Sequence, residues 1–217
     1  MVKCAKCGVL NCLKEKKDKE NPPFCPMDKY QKIYEKSLEE YKDPKIGHMA
    51  KIAALVEAEG YCEWPRLKEV IEFAKRLNYT KLGIAFCLGL RREVRKISDI
   101  LKKQGFEVCS VCCKGGSIPK EILGIEEDQK VRPNTFEPMC NPVAQAMILN
   151  EEKTDLNILV GLCVGHDSLF IKYSKAPVTV LAAKDRALAH NPLGAIYAEF
   201  YFRNKLKTNL GDRNHDS

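Results

Sequence analysis

The stretch Asp155-Leu-Asn-Ile-Leu-Val-Gly-Leu-Cys-Val-Gly-His166 sets the fold class. Leu156–Val160 is an apolar, largely branched run whose one polar residue is Asn157. That pattern suits a strand buried on both faces of a parallel sheet, not one wetted on one side. The run breaks into Gly161-Leu-Cys163-Val-Gly165-His166-Asp167, where two glycines flank a thiol and an imidazole and a carboxylate follow. A thiol where a buried strand meets a Gly-rich turn lies at the carboxyl edge of a sheet, where open α/β folds bind ligands. Ile84-Ala-Phe-Cys87-Leu-Gly89 and Val108-Cys-Ser-Val-Cys112-Cys113-Lys-Gly-Gly116 repeat the design, and the three strand ends are read as one site.

Outward from that strand the alternation of a doubly wound domain appears on both sides. The spacing predicts a helix over residues 65–77, a strand over 81–86, a charged amphipathic helix over 90–104 and a strand over 106–112. A short helical turn is expected over 118–123, and then a polar loop over 124–137 that is long enough for a lid or flap. In Cys140-Asn141-Pro142, Asn is a favoured N-cap and Pro a favoured first helical residue, so a helix should run over 142–150. Cys140 then precedes a helix N-terminus, where the dipole favours thiolate. The third strand is expected over 156–162, a helix over 167–174 and the fourth strand over 177–183. His190-Asn191-Pro192 repeats the Asn-Pro start and launches a helix over 194–206.

The N-terminal third reads differently. Tyr30, Ile33, Tyr34, Leu38 and Tyr41 recur at helical steps, Asp43-Pro44 punctuates them, and a second helix ends at Gly60. Cys62, beside the only tryptophan, Trp64, is read as a packed free thiol. The predicted division is a four-cysteine metal-binding segment (1–26), a helical linker packed on the core (27–63), an α/β domain with a cysteine-lined rim (64–207) and a frayed tail (208–217). The predicted fold class is α/β: a small open parallel sheet of about four strands flanked by helices, Rossmann-like.

A chain of 217 residues with 45% hydrophobic and 30% charged residues suits a soluble protein with a real core. The longest apolar stretches, near 156–165 and 176–183, fall short of the roughly 20 residues of a membrane span. Lys3 and Cys4 stand where a signal peptide would begin its apolar region, so the cytoplasm is expected. The net charge of +7 is read as a solvated basic surface without an Arg-aromatic stripe, and nucleic-acid binding is not expected. A nucleotide site is not expected either, because Gly161 to Gly165 is too short for a dinucleotide fingerprint.

The eleven cysteines argue for metal or redox chemistry before disulfides, because a long cytosolic chain keeps its thiols reduced and the count is odd. Cys4, Cys7, Cys12 and Cys25 lie in a segment too polar for a core of its own. Four thiolates there can close a structural zinc site or hold an iron–sulfur cluster, and Cys25-Pro26 tilts the reading towards iron. Right-handed crossovers put every strand's carboxyl end on one rim, which gathers Cys87, Cys112 or Cys113, Cys163 and the Lys184-Asp185-Arg186 turn, with Cys140 aimed at the same place. Four thiolates from four loops suit a [4Fe–4S] cluster or a tetrahedral zinc. Cys109, in mid-strand, is read as a core hydrophobe. The candidate catalytic residues are His166, His190 and Lys184, and Lys184 with Lys114 and Arg186 could hold a small anionic substrate.

With these motifs, Ala85-Phe-Cys87-Leu-Gly-Leu90, Cys113-Lys114, Met139-Cys140-Asn-Pro142, Leu162-Cys163-Val-Gly-His-Asp167 and Lys184-Asp-Arg186 through His190-Asn-Pro192, the chain resembles a prokaryotic family of cysteine-rich proteins. That family is a domain of unknown function described as metal-binding. The resemblance runs nearly the whole length, including Cys4, Cys7, Cys12 and Cys25. It implies metal binding in an anaerobic setting, brings no reaction, and favours Cys113 over Cys112 as the ligand. The expected function is an iron–sulfur protein acting in redox or cluster-based chemistry with a redox partner. The alternative is a zinc module for partner binding or metal sensing.

Overall fold

The computed structural model describes residues 1–206, the side chains of residues 203 and 204 excepted, so the tail expected over 208–217 lies outside the described residues. The chain forms two units, Met1–Glu63 and one that starts at Trp64. The first holds short 3-10 turns at Cys4–Lys6 and Asn11–Leu13 and three helices, α1 (Pro26–Lys29), α2 (Gln31–Glu40) and α3 (Pro44–Gly60). Asp43 caps α3, its carboxylate accepting from the N–H groups of Lys45 (2.8 Å) and Ile46 (3.1 Å). Pro44 fills the first helical position, where no N–H is needed. The stripe of Ile33, Tyr34, Leu38 and Tyr41 lies on α2 and its C-cap, but these side chains are exposed. Periodicity reveals that a helix has an apolar face, not what covers it. Cys62, expected to pack, is instead exposed in the turn after α3, with φ at +59°. A surface turn of this kind offers a side chain little to pack against.

The second unit runs α4 (Arg66–Arg76), β1 (Lys81–Phe86), α5 (Arg91–Lys103), β2 (Glu107–Cys112), α6 (Pro142–Glu151), β3 (Leu156–Val160), α7 (His166–Tyr173), β4 (Val178–Ala182), α8 (Gly194–Tyr197) and α9 (Glu199–Leu206). All strand pairs are parallel and the order is β2-β1-β3-β4. Alternation along β1 and β3 sorts the core into two layers. Leu82, Ile84, Phe86, Ile158 and Val160 pack with Val70, Ile71 and Ala74 of α4 and Val94 and Leu101 of α5. Ala85 and Leu159 pack with Ala146 and Leu149 of α6 and Phe170 of α7. Each fully buried large side chain of these layers contributes about 1.5–3 kcal/mol. β3, buried at every position, is central as its composition predicts, and the edge strands β2 and β4 are only partly covered. The architecture is the expected α/β fold. Among the described residues no helix is long and apolar enough to cross a membrane.

Three details differ from expectation. β3 stops at Val160, because Gly161 turns the chain with φ at +67°. The last helix is two, interrupted at Ala198, and Asn191 caps neither, since the N-cap of α8 is Leu193 without a side-chain bond. Ala189 and His190 carry positive φ values and put Asn191 inside a turn, where its carbonyl accepts from the Gly194 N–H (2.9 Å). Finally, loop 124–137 is folded around a buried lysine. The Lys130 ammonium pairs with Glu121 (2.5 Å) and Glu127, and a Pro119–Pro138 bridge and a Lys120–Glu137 pair close its base. The polar pattern that read as a flap is largely internal ion pairing.

Candidate functional site

The chain steps from β1 out to β2 and then returns to place β3 on β1's other side, so the order reverses between β1 and β3. Ligands of open α/β sheets bind at such a switch, outside the carboxyl ends. Phe86 and Cys112 are register partners, so the residues that follow, Cys87 and Cys113, leave neighbouring strands side by side. The Cys113 N–H donates to Phe86 O (2.9 Å), the Cys87 N–H to Val160 O (3.1 Å) and the Asn141 N–H to Cys113 O (2.8 Å). The last bond ties the Cys140 loop to the end of β2. Asn141 caps α6, accepting from the Ala144 N–H (3.0 Å), as its sequence predicts. Gln145, buried on α6, donates to Phe86 O (3.2 Å) and Val111 O (2.6 Å) and fastens the helix over the same strand ends.

Cys113 is 2% exposed and lies in hydrogen-bonding contact with Cys140 and Cys87. Its sulfur also accepts from the Leu88 N–H (3.5 Å). Cys163 follows β3, and its sulfur accepts from the Arg186 guanidinium (3.2 Å). Arg186 also lies within electrostatic range of Cys87 and Cys140, so the four thiols share one rim. Cys112 packs against both core layers, and its sulfur accepts from the Lys114 N–H (3.5 Å). Cys109, in mid-β2, lies against the α6–α7 layer, its thiol donating to Glu152 (3.5 Å).

Three adjacent thiols cannot all ionise, because like charges in contact repel and burial disfavours charge. Cys113 keeps its proton, its pKa driven up by contact with Cys140 and Cys87 and by burial. The Cys113 hydrogen bond, against the cost of burial and with help from the Gly89 N–H and Lys184, holds Cys87 well below the usual thiol range. Cys140 is lowered in the same way by Cys113, with Lys114 and His166 assisting. Lys184, Lys114 and Arg186 thus each attend a different thiol. His166 starts α7 within range of Cys140, whereas the His190 ring is engaged in its own loop, Nδ1 accepting from the Asp185 N–H (3.2 Å). Gln145 went unread in the sequence, although a Gln on an otherwise apolar helix face was a usable signal.

In the N-terminal unit, Cys4, Cys7, Cys12 and Cys25 line one cavity of about 270 Å³, walled by Leu10, Phe24, Pro26, Met27 and Tyr34. Asn11 lines it too, donating to Lys19 O and Asn21 Oδ1 (both 2.8 Å) while its own buried Oδ1 has no partner. Among the described residues no three Cys, His, Asp or Glu side chains stand at a geometry that would hold a metal ion. The four thiols line a partly apolar space several times the roughly 30 Å³ of one water.

A family described as a protein of unknown function, DUF1847, matches residues 25–181. An uncharacterised protein of Methanocaldococcus jannaschii is 46% identical over 206 residues, covering 95% of this chain and 99% of its own length. No solved structure matches.

Proposed function

We propose that this chain, which belongs to the DUF1847 family of proteins of unknown function, is a cytoplasmic iron–sulfur protein with two cysteine-ligated sites. One is the N-terminal set Cys4, Cys7, Cys12 and Cys25. The other is the rim set Cys87, Cys113, Cys140 and Cys163, which acts in redox or cluster-based chemistry on a small anion or with a redox partner. The observation that carries this reading is the delivery of four thiols by four separate loops to the switch point of the sheet, with a cation beside three of them. A bound cluster supplies one-electron chemistry. The chain's own groups supply the rest: Lys114, Lys184 and Arg186 attract anions, and His166 can hold or release a proton beside Cys140.

Anaerobic purification with iron, zinc and acid-labile sulfide analysis tests the reading. Iron and sulfide are expected in matched amounts, and deletion of residues 1–26 is expected to remove one site's share while circular dichroism shows the α/β unit still folded. A colourless protein with stoichiometric zinc and neither iron nor sulfide would replace this reading with a zinc module for partner binding or metal sensing. Loss of all metal on the deletion would mean that the two sites are not independent.

A further inference from the structure

We infer that Cys87 and Cys113 are a dithiol–disulfide pair that exchanges with small carboxylate-bearing disulfides, Cys87 making the first attack and Cys113 closing the bridge. The inference goes beyond the iron–sulfur reading, because it asks for thiols alone. Cys87 and Cys113 each follow a member of the register pair Phe86–Cys112, and the Cys113 N–H donates to Phe86 O (2.9 Å). Neighbouring strands run about 4.8 Å apart, within the roughly 4.4–6.8 Å between Cα atoms that a disulfide spans. Both thiols pack in the α6–α7 layer, so they lie on one side of the sheet, in contact with each other. Burial assigns the roles. Cys113 is 2% exposed, its sulfur held under the Leu88 N–H, so an incoming disulfide does not reach it first. Cys87 is partly exposed, and Gly89 beside it has no side chain to cover the sulfur. A Cβ on Gly89 would stand 3.9 Å from both Cys87 Sγ and Lys184 Nζ. The same opening therefore offers a substrate an ammonium for its carboxylate and a sulfur for its disulfide. Cys140 also touches Cys113, but the Lys114 ammonium near it is bonded to Pro138 O.

In the first step the Cys87 thiolate attacks one sulfur of the substrate R–S–S–R, forming Cys87–S–S–R and releasing a thiolate that takes a proton from water. In the second, the Cys113 sulfur attacks the Cys87 sulfur, and its proton leaves with the other half of the substrate as R–SH. Two protein thiols become one disulfide, and the substrate is reduced to two thiols. The test uses the full chain, reduced, treated with a chelator and desalted, with oxidised glutathione as the anionic probe and hydroxyethyl disulfide as the neutral one. After quenching with N-ethylmaleimide, peptide mass spectrometry should find tryptic peptide 82–91 joined to 104–114 through Cys113. In Cys113→Ser, glutathione should remain on Cys87. Lys184→Met should form the bridge about tenfold more slowly with oxidised glutathione, at the low end for a guiding charge, and at an unchanged rate with the neutral probe. Cys87 and Cys113 recovered unbridged while the exposed Cys62 carries glutathione, or a Cys113–Cys140 bridge in their place, overturns the pair. Equal rates for Lys184→Met and wild type with oxidised glutathione, or equal slowing with both probes, overturns the substrate class. The iron and sulfide content before chelation decides the cluster reading separately, so the two failures are told apart.

Discussion

Cys113→Ser protein, purified anaerobically, is expected to lose the rim's iron and sulfide and to keep the N-terminal share. Cys113 is the most buried of the four rim thiols and touches both Cys140 and Cys87. A serine there offers a soft metal an alcohol, which is a poor ligand, and exchanges a thiol that tolerates burial for a hydroxyl that needs a partner. Cys109→Ala is the matched control. Its thiol lies in mid-β2, three residues before the strand ends at Cys112, against Glu152. That variant should retain all metal and cost about 1 kcal/mol of packing, at the low end for core truncations. Iron and sulfide per chain, with a denaturation curve for each variant, decide the matter. Full metal in Cys113→Ser, or loss in Cys109→Ala, contradicts the assignment of ligands to strand ends.

The largest effect on stability is expected from Gly83→Ala. Gly83 of β1 faces Asn157 of β3 across the ladder, and an added Cβ would stand 2.1 Å from Asn157 Oδ1 and 3.0 Å from Leu149 Cδ1. Asn157 is fully buried and cannot give way freely, since Oδ1 accepts from Thr154 Oγ1 (2.8 Å) and Nδ2 donates to Ser174 Oγ (2.8 Å). Overpacking costs about 1–3 kcal/mol, and buried groups left without partners cost about 1–3 kcal/mol more. A loss of about 3 kcal/mol, or a Tm lower by roughly 6–12 °C for a domain of this size, is the expected outcome. Adding Asn157→Ala should recover part of the overpacking term, because the two positions are in contact and their effects are not additive. A Tm within about 2 °C of wild type for Gly83→Ala alone would show that the contact is slack.

That pair also marks the limit of what the residues reveal by themselves. Asn157 stands out in the sequence as the one polar residue of a buried run, and Gly83 as a glycine in a strand. Nothing local says that one makes room for the other, because strand register is a non-local property. The same holds for Cys112 and Cys113, which neighbouring residues do not separate. The pairing of Phe86 with Cys112 does, by setting Cys113 beside Cys87. Signals that act over a few residues were legible: the Asn141-Pro142 cap, the Asp43-Pro44 start and the glycines that close β3. Asn191-Pro192 carries the same local signal as Asn141-Pro142, and there the left-handed backbone of Ala189 and His190 overrides it. The cations beside the thiols were nameable from sequence as neighbours of strand ends. Which thiol each attends depends on the strand order, and Lys184 reaches Cys87 only because β4 lies next to β3.

The central claim is that cysteines from four strand-end loops hold an iron centre on the rim. Crystals grown anaerobically from the native protein, with diffraction data collected on either side of the iron absorption edge, test it most directly. The account predicts a strong iron anomalous peak enclosed by Cys87, Cys113, Cys140 and Cys163 and a second among Cys4, Cys7, Cys12 and Cys25. A rim without an iron peak, or one whose anomalous signal appears only at the zinc edge, contradicts it.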